Sequence, residues 1–235
     1  MNAAPAEHAR IGGWQPFSAC DWPGKLVAVV FLAGCPWRCG YCHNPQLLQR
    51  RHGERSWPQL RTQLQQRRGL LDGVVFSGGE PLAEPALPAL LDEVRGMGFA
   101  TGLHTGGSHP DRLQRILPLL DWVGLDIKTL PEHYPAITTV TGSGERVDAS
   151  LDLLLAHGTA FECRSTIHPA LHDDASLALL AERLSRRGVR HYAWQLLRPG
   201  RQLPQHFAPI MPGWPGAGLQ QAVAAHFARF ELRQG

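Results

Sequence analysis

Short apolar runs alternate with longer amphipathic stretches along most of the chain. The runs are rich in Val, Ile and aromatic residues, which is typical of buried strands. They predict six strands, at Lys25–Leu32, Gly73–Ser77, Ala100–His104, Trp122–Asp126, Ala160–Thr166 and Tyr192–Leu196. The stretches between them have helical spacing and predict helices at Trp57–Arg68, Pro85–Met97, Asp111–Leu119, Ala149–His157 and Ala175–Arg187, with a last one at about Leu219–Phe230. This alternation predicts a parallel sheet built from right-handed β-α-β units.

Six such units are too few for the usual eight-fold barrel. We therefore expect an α/β fold, an open partial (β/α)6 barrel in a single domain, whose mouth is covered by a ligand or partner. The expected parts are an N-terminal extension (about 1–24), the core barrel (about 25–198) and a C-terminal irregular segment and helix (about 199–235). Asp21–Lys25 (DWPGK) predicts a turn, and the Pro- and Gly-rich stretch Pro199–Gly218 an irregular segment.

Composition narrows the class of protein. The 235 residues are 43% hydrophobic, and the formal net charge of +3 comes from dispersed rather than striped basic residues, so nucleic-acid binding is not indicated. Met1–Gly13 lacks the apolar core of a signal peptide, and no segment approaches the ~20 apolar residues of a membrane span. We expect a cytoplasmic protein, in which five Cys are unsuited to a disulfide framework.

Polar or Gly-rich residues follow the predicted strands. The segment GCPWRCGYC follows the first strand, GGEP the second, TGG the third, and Lys128 the fourth. Because catalytic groups gather at the carboxyl ends of parallel strands, we expect these segments to face one another across one pocket.

Cys35, Cys39 and Cys42 admit four interpretations. Cys39-Gly-Tyr-Cys42-His43 matches the covalent haem motif, although such attachment normally follows export. It also matches a redox dithiol, which has no need of a third Cys upstream. Zinc could use the three thiols and His43, but zinc modules usually draw two separated pairs of ligands.

The fourth interpretation, an iron–sulfur cluster, fits best. A C-x3-C-x2-C loop can wrap one face of a cubane and leave one iron without a protein ligand. Cys20 lies upstream across a strand and Cys163 lies within one, so both are interpreted as small buried residues rather than ligands.

The Cys spacing, with an aromatic residue before the last Cys, resembles the signature of the radical S-adenosylmethionine (SAM) superfamily, and Ser77-Gly-Gly-Glu-Pro81 resembles its GGE motif. The resemblance implies a [4Fe–4S] cluster on the three Cys and reductive cleavage of SAM. It also implies that Tyr41 packs near the adenine and that Gly78, Gly79 and Glu80 meet the methionyl ammonium. Independently, paired glycines let a backbone approach a ligand, and a carboxylate balances a cation.

Phe17–Pro45, Leu125–Lys128, Phe161–Arg164 and Trp194-Gln195 resemble the activating enzymes of glycyl radical enzymes, over nearly the whole chain. The nearest resemblance is to the short activating proteins of anaerobic ribonucleoside-triphosphate reductase. It implies a glycyl radical enzyme as partner, a flavodoxin-like or other low-potential electron donor, and SAM contacts from the residues Asn44, Thr105, Lys128, Arg164 and Gln195. Lys128 could equally be a buried lysine paired with Asp126.

One position departs from the family. Relatives have Asp-Thr-Asn-Gly after the third strand, where the Asp helps to bind a monovalent cation, whereas this chain has His104-Thr105-Gly106-Gly107. Alkali cations prefer oxygen ligands, so we expect a weakened or absent cation site, with Asp126 finding another partner.

Three other functions stay open: a pyruvate formate-lyase-type activating enzyme, a radical SAM enzyme acting on a small molecule as carboxy-deazaguanine synthases do, and a zinc-stabilised interaction protein. The Tyr-Cys-His-Asn continuation after the cluster favours protein activation.

Overall fold

The computed structural model describes residues 5–53, 55–198 and 207–234. Within them, eight strands form one sheet in chain order. The strands are β1 (Ile11–Ser18), β2 (Val27–Leu32), β3 (Gly73–Gly78), β4 (Ala100–Thr105), β5 (Trp122–Asp126), β6 (Ala160–Ile167), β7 (His191–Leu196) and β8 (Arg229–Arg233). The helices are α1 (Trp57–Gln65), α2 (Leu87–Gly96), α3 (Pro110–Ile116), α4 (Tyr134–Thr138), α5 (Ser143–His157), α6 (Asp174–Arg186) and α7 (Ala217–Ala224).

The predicted α/β architecture is confirmed. The six predicted strands are β2 to β7, which are all parallel to one another. Within the described residues β1 and β8 lie at opposite edges of the sheet and do not pair, so the barrel is open and partial. Five predicted helices correspond to α1, α2, α3, α5 and α6, although α5 begins at Ser143 rather than Ala149.

Two strands and one short helix were not predicted. β1 pairs antiparallel with β2 and contains Gly12, Gly13 and Pro16, which lower strand propensity but are tolerated at a sheet edge. α4 has five residues, too few for a periodic signal.

The predicted last helix, Leu219–Phe230, is wrong beyond α7. β8 follows α7 and is parallel to β7, with the Phe230 ring 5.0 Å from that of Trp194. In the predicted irregular segment, 199–206 lie outside the described residues, 207–216 are irregular, and α7 then begins at Ala217.

The sheet separates two apolar clusters. Alternate β2 residues Ala28, Val30 and Leu32 pack against the helices in the larger cluster. Val27 and Val29 point to the concave side, where they form a smaller cluster together with Val75, Trp22 and Trp122. This alternation leaves the upper concave side free for polar groups.

The predicted turn at Asp21–Lys25 is confirmed and closes the lower end of the barrel. Lys25 N donates to Trp22 O at 3.1 Å, and Gly24 has φ +75°. The turn places the Trp22 ring on Trp122, with 5.5 Å between centroids. Gly102 makes room for it, since a Cβ there would lie 2.9 Å from Trp22. The barrel is therefore packed below and open to ligands above.

Candidate active site

The carboxyl ends of the parallel strands surround a cavity of about 160 Å³. The residues that line it are Cys35, Trp37, Cys39, Tyr41, Cys42, His43, Asn44, Leu48, Gly78, Gly79, Glu80, Gly106, Asp126, Lys128 and Thr166. Most predicted site residues are in this set, so the expected convergence of the strand ends on one pocket is confirmed.

The loop after β2 carries the three cysteines and is held by backbone hydrogen bonds at several points. Cys35 N donates to Leu48 O at 3.2 Å, and Cys42 N donates to Cys39 O at 3.1 Å. Arg38 N donates to Thr138 O at 3.0 Å, which ties the middle of the loop to the end of α4. The loop is therefore fixed around the cavity by contacts that do not use the thiols.

Gly78 and Gly79 bring the end of β3 against the cysteine loop. Gly78 has φ +123°, and a Cβ there would lie 2.2 Å from Leu32 O. A Cβ on Gly79 would lie 2.6 Å from Gly34 O and 2.8 Å from Leu47 O. Only glycine fits these two positions, and the exposed backbone they leave at the cavity wall suits close approach by a ligand.

Glu80 is a buried carboxylate that joins the ends of β3 and β4. Its Oε1 accepts from Thr105 Oγ1 at 2.7 Å and from Leu82 N at 3.0 Å, while Oε2 accepts from Gly106 N at 3.0 Å. Burial raises the pKa of Glu80, and these donors oppose the shift. Thr105 itself lies behind the cavity, positioning Glu80 rather than lining the wall.

Lys128 supplies a buried cation to the same cavity. Its Nζ forms an ion pair with Asp126 and lies 5.5 Å from the Tyr41 ring centroid and 6.0 Å from that of Trp37. Burial lowers the pKa of Lys128, but the Asp126 carboxylate, Tyr41 and Cys39 together raise it well above its ordinary value. Asp126 thus has a partner other than a monovalent cation, as predicted, and the Lys128 ammonium stays charged.

The donor set fits an iron–sulfur cluster with SAM beside it. Three thiols share one cavity, thiolates are the ordinary ligands of such clusters, and the buried Trp37 Nε1 and Tyr41 Oη have no hydrogen-bond partner there. Burial raises the pKa of Cys35 to about 12 and also raises that of Cys39, so both are protonated until metal binds. In the described part of the chain, no three His, Cys, Asp or Glu side chains meet closely enough to hold a single metal ion.

A second cavity, of about 940 Å³, adjoins the first. Arg164 and Gln195 line this larger cavity and not the smaller one, whereas His43 and Thr166 line both. Sequence reasoning missed Trp37 and Thr166. The alternation Glu162, Arg164, Thr166 along β6 was the available signal for Thr166, since all three share one face of the sheet.

His104 is enclosed below the cavities. Its Nε2 lies 2.6 Å from Asp21 O and 3.1 Å from Arg164 Nη1, and its ring meets Trp122 edge-on at 5.5 Å between centroids. Burial, and then the charge of Arg164, lower the pKa of His104 well below its ordinary value. The side chain that replaces the family's Asp is therefore a neutral imidazole.

We expect SAM cleavage to be independent of added alkali cation, because a neutral His104 provides no anionic oxygen and Asp126 is neutralised by Lys128. The rate of SAM cleavage should be the same in potassium chloride as in tetramethylammonium chloride of the same ionic strength. The matched variant His104→Asp should introduce a potassium response. A strong potassium requirement in the native chain would contradict this account.

We also expect His104 to make the fold acid-sensitive. In the unfolded chain His titrates near 6.5, so below that pH the unfolded state binds a proton that the folded state excludes. Stability is then lost as pH falls, by up to about 1.4 kcal/mol per pH unit for one such group. Urea unfolding at several pH values should show that the free energy of unfolding falls less steeply with decreasing pH in His104→Gln than in the native chain. The same pH dependence in both proteins would refute this role.

The strand ends of this partial barrel bring together three thiols, two glycines, a buried carboxylate and a buried ammonium. Such a fold and site are typical of iron–sulfur enzymes that bind SAM. The sequence model of the Radical SAM superfamily matches residues 29–180 of this chain. The chain belongs to this superfamily, and within it to the activating enzymes of glycyl radical enzymes. Its cofactors are a [4Fe–4S] cluster and SAM.

Two of three similar proteins are named as activating enzymes, and the third is a deazaguanine synthase. Protein MJ1227 of Methanocaldococcus jannaschii, whose name assigns it to the glycyl-radical enzyme activating enzymes, is 26% identical over 222 residues (86% of this chain, 85% of the relative). The pyruvate formate-lyase-activating enzyme of Clostridium pasteurianum is 33% identical over 171 residues (70% and 71%). A 7-carboxy-7-deazaguanine synthase of Methanopyrus kandleri is 32% identical over 147 residues (52% and 58%).

Solved structures share the fold. Streptococcus suis SuiB, in its structure with precursor peptide SuiA, superimposes with a TM-score of 0.65 at 13% identity over 88% of this chain. The chain spans about half of SuiB, 48% of its length. No helix of the described residues has the length and apolar character needed to cross a membrane.

Proposed function

We propose that the protein generates a glycyl radical on a partner enzyme, anaerobic ribonucleoside-triphosphate reductase, with an electron from a flavodoxin-like or other low-potential donor. The observation that carries this proposal is the pair of joined cavities. The smaller one holds the thiols and the GGE residues, and the larger one, lined by residues of β1 and β8 at the open edges of the barrel, has room for a polypeptide loop. The relationship to glycyl-radical enzyme activating enzymes supports it.

The chain's own residues bind and orient the cofactors. Cys35, Cys39 and Cys42 would hold the cluster, whose chemistry when bound and reduced is homolytic cleavage of the SAM sulfonium. The backbone of Gly78 and Gly79 and the Glu80 carboxylate would take the methionyl ammonium. Further SAM contacts are proposed for Tyr41, Asn44, Lys128, Arg164 and Gln195, whereas Thr105 would act through Glu80, to which it donates a hydrogen bond.

Two of those contacts rest on charge. Lys128 is a buried ammonium in the smaller cavity, and the Arg164 guanidinium is buried, with an unpartnered Nε, at the wall of the larger one. Because a buried cation without an ion-pair partner is costly, Arg164 suits the carboxylate or ribose oxygens of SAM. Lys128 is paired with Asp126, and its ammonium has further N–H groups that could donate to the same oxygens. His43 and Thr166, which line both cavities, mark where the reacting glycine would reach the cofactor.

The test is anaerobic reconstitution with iron and sulfide, followed by reduction with SAM and the candidate reductase. Electron paramagnetic resonance should show a glycyl radical on the reductase, and none when its target glycine is replaced by Ala. Steady SAM cleavage without a radical on the reductase would overturn this proposal and favour another substrate, such as the small molecules of the carboxy-deazaguanine synthases.

A further inference from the structure

Four arginines lie in the segments that follow β2, β4 and β5, on the upper face of the barrel. This basic rim consists of Arg38, Arg50, Arg112 and Arg146, all exposed. Arg38 lies inside the cysteine loop, and Arg50 packs against Gly34, where a Cβ would lie 2.6 Å from Arg50 Cγ. Two of the four arginines are therefore built onto the segment that would hold the cluster.

Three of these guanidinium groups are held by backbone carbonyls. Arg38 Nη1 donates to Cys35 O at 2.6 Å and to Trp37 O at 2.8 Å. Arg50 Nη2 donates to Ala83 O at 2.8 Å, and Arg112 Nη1 to Leu82 O at 2.9 Å. These bonds fix the positions of the cations without neutralising their charge.

Within the described residues, none of the four forms an ion pair. Asp111 and Glu145, which precede Arg112 and Arg146 in sequence, are exposed and form no ion pair in the described part of the chain. Some arginines elsewhere in the described residues are paired, as Arg187 is with Asp148 and Asp152. The basic rim is thus a concentration of uncompensated positive charge.

The pKa of His109 responds to three of these arginines together. The imidazole is half-buried, and burial followed by the fields of Arg112, Arg146 and Arg50 lowers its pKa to about 4. Arg112 and Arg50 donate to the neighbouring carbonyls of Leu82 and Ala83, so their guanidinium groups lie close together, as in surfaces that steer a charged partner. The field of Arg146 on the same imidazole adds to theirs.

We propose that the basic rim docks an acidic electron-transfer protein, a reduced flavodoxin-like flavoprotein, over the cysteine loop. The step is one electron: the flavin hydroquinone becomes a semiquinone, and the cluster goes from its 2+ to its 1+ state. This inference rests on the proposed function. The rim is assigned to the donor and not to the glycyl radical enzyme because the larger cavity, which would admit the glycyl loop, is bounded by β1 and β8.

The test is stopped-flow reduction of the reconstituted cluster by an acidic flavodoxin in its hydroquinone form, followed by the bleaching of the cluster absorbance. Arg112→Gln/Arg146→Gln should lower the second-order rate constant on the order of tenfold at low ionic strength. The native rate should fall as salt is added, and the variant's should change little. A matched control, Arg186→Gln/Arg190→Gln, removes two exposed arginines near the opposite ends of the strands and should react as the native protein does.

Photoreduced 5-deazaflavin, a small uncharged reductant, should reduce native protein and both double variants at equal rates. Equal flavodoxin rates and salt profiles for the native protein and the rim variant would overturn the inference. So would a rim variant that reacts normally with flavodoxin but, in a separate binding titration, binds the reductase more weakly. Because the assay contains neither the reductase nor SAM, its result is independent of whether a glycyl radical forms.

Discussion

Replacement of Cys39 by Ser is expected to abolish SAM cleavage and to lower the iron and sulfide bound after reconstitution. Cys39 lies between the other two thiols in the loop and lines the same cavity. Serine keeps the size of the side chain but gives a poor ligand for iron in a sulfur-bridged cluster. The loop's backbone hydrogen bonds do not involve the thiol, so the fold should persist.

Cys20→Ser is the matched control. The prediction that Cys20 is buried is wrong: it is exposed in the wall of the larger cavity, with its Sγ 3.4 Å from Ser18 Oγ, away from the cysteine loop. It should bind iron and cleave SAM as the native chain does. Full activity in Cys39→Ser, or a loss in Cys20→Ser equal to that in Cys39→Ser, would refute the ligand assignment.

Glu80→Gln is expected to weaken SAM binding by about 10- to 100-fold, the range for losing a charge-assisted hydrogen bond of about 1.5–3 kcal/mol. The carboxylate is 2% exposed and would balance the methionyl ammonium. A Gln amide also places a donor against Thr105 or Gly106, both of which donate to Glu80. Equilibrium titration of SAM into the reconstituted protein measures the effect.

Glu84→Gln separates a binding role from a general effect of removing a buried acid. Glu84 is 5% exposed, accepts from Ala86 N at 3.1 Å and pairs with Arg10 at 3.3 Å, and it lines neither cavity. The Glu84→Gln variant should have a lower midpoint of thermal unfolding and a SAM affinity close to that of the native chain. An unchanged SAM affinity in Glu80→Gln would remove Glu80 from the proposed SAM site.

The parallel strands were predictable because both of their faces are buried. β2 reads Val27-Ala-Val-Val-Phe-Leu32, a continuous apolar run, as expected for a strand between helices and a packed barrel interior. The edge strands lack this signal. β1 is interrupted by Gly and Pro, and β8 is a short alternating segment, Arg229-Phe-Glu-Leu-Arg233, that follows a helix closely enough to be read as its continuation.

The site was predictable where a motif marks it and less so elsewhere. The cysteine loop and Gly78–Glu80 come together because parallel strands end at the same edge of the sheet. The pairing of Lys128 with Asp126 was an alternative that only coordinates could decide. Arg164 and Gln195 lie farther along the concave surface, in the larger cavity, because side-chain depth in a barrel depends on strand stagger, which sequence does not reveal.

We propose that the protein removes a hydrogen atom from a glycine Cα of another protein. A labelling experiment would use reductase containing deuterated glycine, with reduced, SAM-loaded enzyme, and follow deuterium in the 5′-deoxyadenosine product alongside the radical signal. Deuterium should be transferred in proportion to the glycyl radical formed. Unlabelled 5′-deoxyadenosine with no radical on the reductase would contradict the proposal.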